Sequence, residues 1–317
     1  MAGIIYADYY TPAEYMNVSR IFSFLHDGEQ KKKEFFKNYC PKNMDGSKFN
    51  IYIENEKDEI AMLNVLAERF FQQSPVSPQD ISHLIYASPY NAHMGDIYVP
   101  YVLHKLCKFQ NTSVMRIDQQ CVSAMGALEI AAALVDSGKG TNIMIACLSR
   151  EPDMEARFLG NTIVGDGAGL MIVGKDNGQA RIIDYVSVSD GSYSYNAYHN
   201  KKEEADFLQD VRRGTDTVTK ILRATGREIQ DIKVIIPQNV NYSVYYLYTR
   251  FLGIEQEKMY LKNIFNGGHL RDVDTIKNYV DAVNDNTLQD GDQCMLFGSG
   301  THGNDATYNA ILLEYCR

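Results

Sequence analysis

The second half of this chain repeats the element order of the first, and that repeat limits the folds open to it. Gln79-Asp80-Ile81-Ser82-His83-Leu84-Ile85-Tyr86 resembles Gln230-Asp231-Ile232-Lys233-Val234-Ile235-Ile236-Pro237. Each is a polar start feeding a short apolar run of the kind buried on both faces. A helix-like segment precedes each run, Ile60 to Gln73 and Gly214 to Thr225. Another follows each, Tyr98 to Cys107 and Ser243 to Leu252. The order then recurs: Ser113 to Ile117 leads to Cys121 and a helix, and Met259 to Ile264 leads to His269 and a helix. Asn142 to Leu148 and Gln293 to Phe297 read as the next strands. The span from Asp80 to Cys121 nearly equals that from Asp231 to His269. An Asp-Ile-strand pattern recurs by chance in α/β proteins, but agreement of successive elements in order favours duplication.

Strands alternating with helices predict parallel sheets covered on both faces, hence a layered α/β structure made of two duplicated halves. The predicted division is residues 1–175, carrying Cys121, and 176–317, carrying His269 and Asp274. Halves packed about a pseudo-twofold axis would bring Cys121 and His269 from related corners into one cleft. Asp27 to Asn50, with Lys31-Lys32-Lys33 and no clear period, reads as a surface excursion. Asp190 to Asp206 reads as a loop at the join.

A length of 317 residues suits about two packing units. The net charge of −9 leaves no excess of Lys and Arg for phosphates, which argues against a nucleic-acid binder. The cysteines, Cys40, Cys107, Cys121, Cys147, Cys294 and Cys316, are too scattered for a zinc-type pairing, and a chain of this size needs no disulfide staples. No apolar run reaches the ~18 residues of a membrane span, and the first residues lack a signal peptide's basic and apolar regions. A reducing cytoplasm is the expected compartment.

Cys121 carries the clearest chemistry. It follows the strand-like Ser113 to Ile117 and opens the small-residue helix Val122 to Val135. A thiol at a helix N-terminus faces unpaired N–H groups and the positive end of the helix dipole, a setting that favours thiolate. Burial as a structural residue is the commoner fate of a lone cysteine. The strand–helix elbow nevertheless points to a nucleophile. His269 lies in Asn266-Gly267-Gly268-His269-Leu270-Arg271-Asp272-Val273-Asp274, at the start of a helix through Ile276, Tyr279 and Val280. Its imidazole can act as a general base, with Asp274 or Asp272 fixing the tautomer. Both carboxylates equally fit plain N-terminal helix charge. Gly298-Ser299-Gly300-Thr301-His302-Gly303 matches the dinucleotide string G-x-G-x-x-G, but no βαβ unit follows it, so that reading is rejected. Glycines there let backbone N–H groups face a substrate oxygen.

Four features together resemble the thiolase superfamily and, within it, the ketoacyl-acyl carrier protein synthase III group. They are Cys121 after Asp118-Gln119-Gln120, the string Gly165-Asp166-Gly167-Ala168-Gly169, the segment Pro237-Gln238-Asn239-Val240-Asn241, and Phe297-Gly298-Ser299-Gly300. The resemblance implies a five-layer αβαβα fold of duplicated halves, a homodimer, and an oxyanion hole made by the backbone N–H groups of Cys121 and Ser299. Condensing members carry a histidine after the proline corresponding to Pro237, where this chain has Gln238, and an asparagine where His269 falls. The set Cys121, His269, Asp274 resembles instead the acyltransferase branch of the group. That branch moves acyl chains from CoA or acyl carrier protein thioesters to alcohols, amines or carbon acceptors in natural-product pathways, with no permanently bound cofactor. Gln238 is then an active-site neighbour. A decarboxylative condensing enzyme and a non-catalytic partner subunit are the alternative readings.

Overall fold

The computed structural model describes residues 1–44, 46–88, 97–175, 178–199, 207–302 and 305–316. The first half runs β1 (Ala2–Tyr10), β2 (Tyr15–Asn17), α1 (Val18–Phe22), α2 (Gly28–Tyr39), β3 (Asn50–Tyr52), α3 (Glu59–Gln73), β4 (Ile81–Ala87), α4 (Val99–Leu106), β5 (Ser113–Ile117), α5 (Ser123–Asp136), β6 (Asn142–Ser149) and β7 (Gly167–Lys175). The second runs β8 (Ala180–Asp190), α6 (Ser192–Tyr198), α7 (Phe207–Thr225), β9 (Ile232–Pro237), α8 (Tyr242–Leu252), β10 (Asn266–Gly267), α9 (Val273–Asn284), β11 (Gln293–His302) and β12 (Asp305–Tyr315).

One nine-stranded sheet is made of two half-sheets that meet edge to edge where Gly3 and Ile4 of β1 pair with Arg181 and Ala180 of β8. Read outward from that join, one side is β1-β7-β6-β4-β5 and the other is β8-β12-β11-β9. The pairings match in sense. β7 is antiparallel to β1 and β6, as β12 is to β8 and β11; β4 is parallel to β6 and β5, as β9 is to β11. Where a fifth strand of the second side would stand, Met259 makes a single parallel bridge to Ile235. The strand expected over Met259 to Ile264 is thus cut to one bridge, and the chain turns at once toward Asn266–Gly267, which pairs with β3.

The expectation of purely parallel sheets is corrected. β6 reaches β7, and β11 reaches β12, with no crossover helix between them, so these pairs must be antiparallel. Both faces are covered, which is why β6 and β7 are buried almost throughout. Helices α5 and α9 lie between the two half-sheets: α5 packs on β6, β7, β4 and β1 and also on β12 and β8, while α9 packs on β1, β7, β9 and β11. A helix buried on most of its surface must be largely apolar, which accounts for the Ala-rich α5, whose Ile130 and Ala133 alone of its apolar residues stay exposed. The central core joins Val122, Ala127, Leu128 and Ala131 of the α5 segment to Val273, Ile276 and Tyr279 of α9. Helices α3 and α4 cover the first half-sheet from outside, and α7 covers the second with α8 packed on it. The order of layers is αβαβα, the thiolase fold.

Two segments differ from expectation. The stretch expected as a surface excursion contains the amphipathic helix α2 and builds a core of its own, in which Phe22, Phe35, Phe49 and Ile51 enclose Ile163. Its aromatic spacing is too irregular to register as a period, yet Phe22 packs edge-on against Phe158 at 5.2 Å. The stretch expected as a loop after Asp190 forms the short helix α6, started by a turn in which Ser192 N–H donates to Asp190 at 2.9 Å; its residues 200–206 lie outside the described set.

Candidate active site

Between β5 and α5 the backbone makes a sharp elbow. Gln120 takes a left-handed φ of 56°, uncommon for a side chain that is neither Gly nor Asn. Ser123 holds the turn: its hydroxyl donates to Gln120 O at 2.6 Å and accepts from Gln119 N–H at 2.9 Å. Cys121 stands at the crest, partly exposed, just ahead of the first helical turn. Asp272, fully buried, reaches across from the second half and accepts the Ala124 N–H at 2.9 Å. Burial pushes its carboxyl well above the usual range, against the pull of the Ala124 N–H and the His269 charge.

The opposite corner is built around His269. Gly267 and Gly268 have φ of 129° and 77°, backbone that other residues rarely adopt. A Cβ on Gly268 would meet the Ile51 side chain at 2.6 Å. That approach lets the His269 N–H donate to Ile163 O and its carbonyl accept from Gly165 N–H, both at 3.0 Å. The backbone of the base is therefore pinned to the first half, beside the Gly165–Gly169 string.

The His269 side chain is 2 % exposed, and its Nδ1 lies 2.5 Å from Asp274 Oδ2. Asp274, fully buried, also accepts the N–H of Leu270 at 2.8 Å, the backbone N–H of Asn239 at 2.7 Å and the Asn239 side-chain amide at 2.9 Å. A buried carboxylate so fully satisfied is a fixed negative charge. Burial opposes charging of the His269 ring, but Asp274, through its charge and hydrogen bond, and Cys121, in the same two ways, outweigh it and raise the pKa from 6.5 to about 10. The sequence favoured Asp274 as the orienting residue, with Asp272 as its competitor; Asp274 lies on the imidazole and Asp272 on the start of α5.

Asn239 was not singled out by sequence reasoning. It is one of a chain of buried amides: Asn278 donates to Pro237 O at 2.7 Å and to Asn239 Oδ1 at 2.9 Å, and Asn263 donates to Asn278 at 2.8 Å. Asn239 inside the PQNVN segment was the only sequence sign of it. Gln238 lies 1 % exposed between the corners. Its amide donates to Cys121 O at 2.5 Å and its Oε1 accepts the Ser299 N–H at 2.9 Å. In this arrangement the Ser299 N–H, expected to face a substrate oxygen, donates to Gln238. The His302 side chain lies outside the described residues.

Cys121, His269 and Ser299 share one cavity of about 180 Å³. Apolar side chains (Val211, Val240, Phe297) and the tyrosines Tyr245, Tyr248 and Tyr308 form much of its wall. Among the described residues no group of three or more His, Cys, Asp or Glu is arranged to hold a metal ion, and no helix is long and apolar enough to cross a membrane.

A family model for 3-oxoacyl-[acyl-carrier-protein (ACP)] synthase III matches residues 115–191, from β5 through the Cys121 elbow and α5 to the end of β8. The beta-ketoacyl-[acyl-carrier-protein] synthase III of Staphylococcus haemolyticus is 25% identical over 287 residues, covering 86% of this chain and 88% of its own. The chain is thus similar to ketoacyl synthase III proteins in sequence. Solved thiolase-fold structures superpose over nearly its whole length. The acyltransferase ChlB3 does so with a TM-score of 0.82 at 17% identity, covering 99% of this chain and 98% of its own. The 3-oxoacyl-[acyl-carrier-protein] synthase III of Aquifex aeolicus gives 0.79 at 19%, covering 99% and 100%.

Proposed function

We propose that the protein is an acyltransferase that loads an acyl group from a CoA or acyl carrier protein thioester onto Cys121 and passes it to a hydroxyl, amine or carbon acceptor. The observation that carries this reading is the meeting of Cys121 and His269 on one cavity, with Asp274 behind the His269 ring, while Gln238 stands at the position following Pro237. Decarboxylative condensation needs two donors over a thioester oxygen to stabilise an enolate. Here the single carboxamide of Gln238 is engaged at both ends, its NH2 donating to Cys121 O and its oxygen accepting from Ser299 N–H, and the second corner holds a base rather than an amide. The names of the relatives favour condensation; this donor arrangement weighs against it.

In the proposed cycle Cys121, as thiolate beside protonated His269, attacks the thioester carbonyl. The oxyanion is held by the Cys121 N–H and, once the Gln238 carboxamide turns away, by the Ser299 N–H. Collapse expels the donor thiol, which leaves with the His269 proton. Acylation also removes the negative sulfur that helps hold a proton on His269. The ring, still oriented by Asp274, is then the base that takes the acceptor's proton. The acceptor–carbonyl bond forms, the carbon–sulfur bond breaks, and the proton remains on His269 opposite the restored thiolate. Natural-product biosynthesis, a homodimer and a cytoplasmic setting belong to the same reading, as does the functional division at 175/176.

Intact-mass spectrometry after exposure to a series of acyl-CoA and acyl-carrier thioesters tests it. An added acyl mass, absent in Cys121→Ala, is the expected result. Carbon dioxide released from malonyl thioester by the acylated protein would give the condensing reading precedence, and no adduct with any donor would favour a non-catalytic subunit.

A further inference from the structure

Helix α9 carries a polar stripe through the packed interior. Asp274, Asn278 and Asp281 are spaced by four and three residues, so they share one face of the helix. Asn278 is fully buried, and Asn239 and Asn263 are nearly so. Apolar side chains in these places would spare the cost of desolvation, so the stripe needs a reason. The direction of its hydrogen bonds supplies one. Pro237 O can only accept, so the NH2 of Asn278 must face it; the same NH2 donates to Asn239 Oδ1. The Asn278 oxygen is then left to accept from Asn263. Asn263 is turned the same way because its NH2 also donates to the Asp281 carboxylate at 2.7 Å. Asp281 is held in turn by the Tyr9 hydroxyl at 2.6 Å and by Lys277. With its oxygen taken by Asn278, Asn239 presents its NH2 to Asp274 Oδ1. Each amide therefore donates to the next on the way to Asp274, and hydrogen bonds aligned in this way polarise one another.

We infer that Asn278 is a positioning residue for the base: by fixing Asn239 it keeps donors on the Asp274 carboxylate, so that Asp274 holds the Nδ1 side of the His269 ring and leaves Nε2 to take the acceptor's proton. Asn278 acts at two removes from the ring, through Asn239 and then Asp274. Without it, Asn239 is free to turn its oxygen toward the carboxylate, and the repulsion between them loosens the hold on the imidazole. Asn263 locks Asn278 in the same sense from the far end of the stripe. The inference rests on the acyl-transfer reading above, which makes His269 the base, and deepens it by naming what keeps that base aimed.

Asn278→Ala removes the lock. It is expected to slow clearance of the acyl-Cys121 adduct by about tenfold, the effect of weakening one hydrogen bond to a charged group. The sign of the pH effect follows from the ring. Asp274 strengthens its hold on a proton, and transfer needs the ring neutral, so the low-pH limb of transfer should move down by about one unit. A 15N-histidine NMR titration in the Cys121→Ala background reads the same midpoint without an adduct, with His269→Gln identifying the signal among the seven histidines. Cys121 and Asp272 also act on the ring through charge, and Tyr245 and Cys147 lie in the field of Asp274. Each variant is therefore compared with Cys121→Ala alone, which keeps the other three in place. Asn263→Ala should lower the midpoint in the same direction by less, and it decides the matter if Asn278→Ala does not fold. Added to Asp274→Asn, Asn278→Ala should move the titration no further. A lower urea midpoint with an unshifted titration marks a purely structural amide and overturns the inference, as does a shift that persists in Asp274→Asn. If no thioester acylates Cys121, the acyl-transfer reading fails, and the titration still decides whether Asn278 governs the His269 ring.

Discussion

The two corners that meet in the cavity differ in how much hydrogen bonding each carries. The Cys121 corner is spare: a left-handed residue at Gln120, one serine bracing the turn, and a cap reaching in from the other half. The His269 corner is dense: two left-handed glycines, a backbone pinned to Ile163 and Gly165, a carboxylate taking four hydrogen bonds, and buried asparagines behind it. A nucleophile must be reached by a bulky thioester, so few groups can surround it. A base must keep one ring nitrogen aimed and the other held, so its surroundings are over-determined. Related positions of a duplicated fold have been given opposite burdens.

Substitutions can break this contrast or sharpen it. The largest effect is expected from Cys121→Ala, which should abolish the acyl adduct in intact-mass spectra. His269→Ala should leave a detectable adduct and slow its transfer to acceptor by about 10²–10⁴-fold, the usual range for a general base; single-turnover kinetics separates the two half-reactions. Unchanged transfer would remove His269 from the mechanism. Asp274→Asn should slow transfer less than His269→Ala, because an orienting group is partly replaceable. It should also destabilise the fold by about 1–3 kcal/mol, since Asp274 answers backbone N–H groups that are otherwise buried without partners; urea denaturation reads this directly. Wild-type transfer in Asp274→Asn would dissolve the dense corner's functional meaning.

A smaller effect tests the spare corner. A Cβ on Gly300 would meet Gln119 O at 2.2 Å and the side chains of Gln120 and Val122 at 3.0 Å. Gly300→Ala should therefore push the elbow outward, costing about 1–3 kcal/mol and lowering the rate of self-acylation more than that of transfer. The smallest effect is a pH dependence. Burial works against the charged His269 ring and its partners overcome it, so the pKa is higher in the folded state, about 10, than the ordinary 6.5. Stability from that proton is complete below about 6.5 and is lost as pH rises through about 10. The stability gap between wild type and His269→Gln should accordingly narrow from pH 6.5 toward 10. A constant gap would mean that the ring is neutral throughout.

The duplication, the order of strands and helices, the Cys121 elbow and the candidate base were legible in the amino-acid sequence, because each is local: an apolar run, a small-residue helix, two glycines before a histidine. Strand direction was only half legible, since it depends on whether a connection carries a crossover helix, and the loops before β7 and β12 carry none. The α2 segment hid its small core because aromatic side chains spaced without a period still pack when the chain folds back on them. The choice between Asp272 and Asp274, two residues apart on the same turn, was not settled by the sequence, and the Gln238 bridge between Cys121 and Ser299 and the asparagines behind Asp274 were closed to it. Each of these joins residues far apart in the chain, and only the packing of one half against the other sets their distances. Sequence supplied the reactive groups; the tertiary structure assigned their partners, because hydrogen bonds and charges act over a few ångströms of space, whatever the separation along the chain.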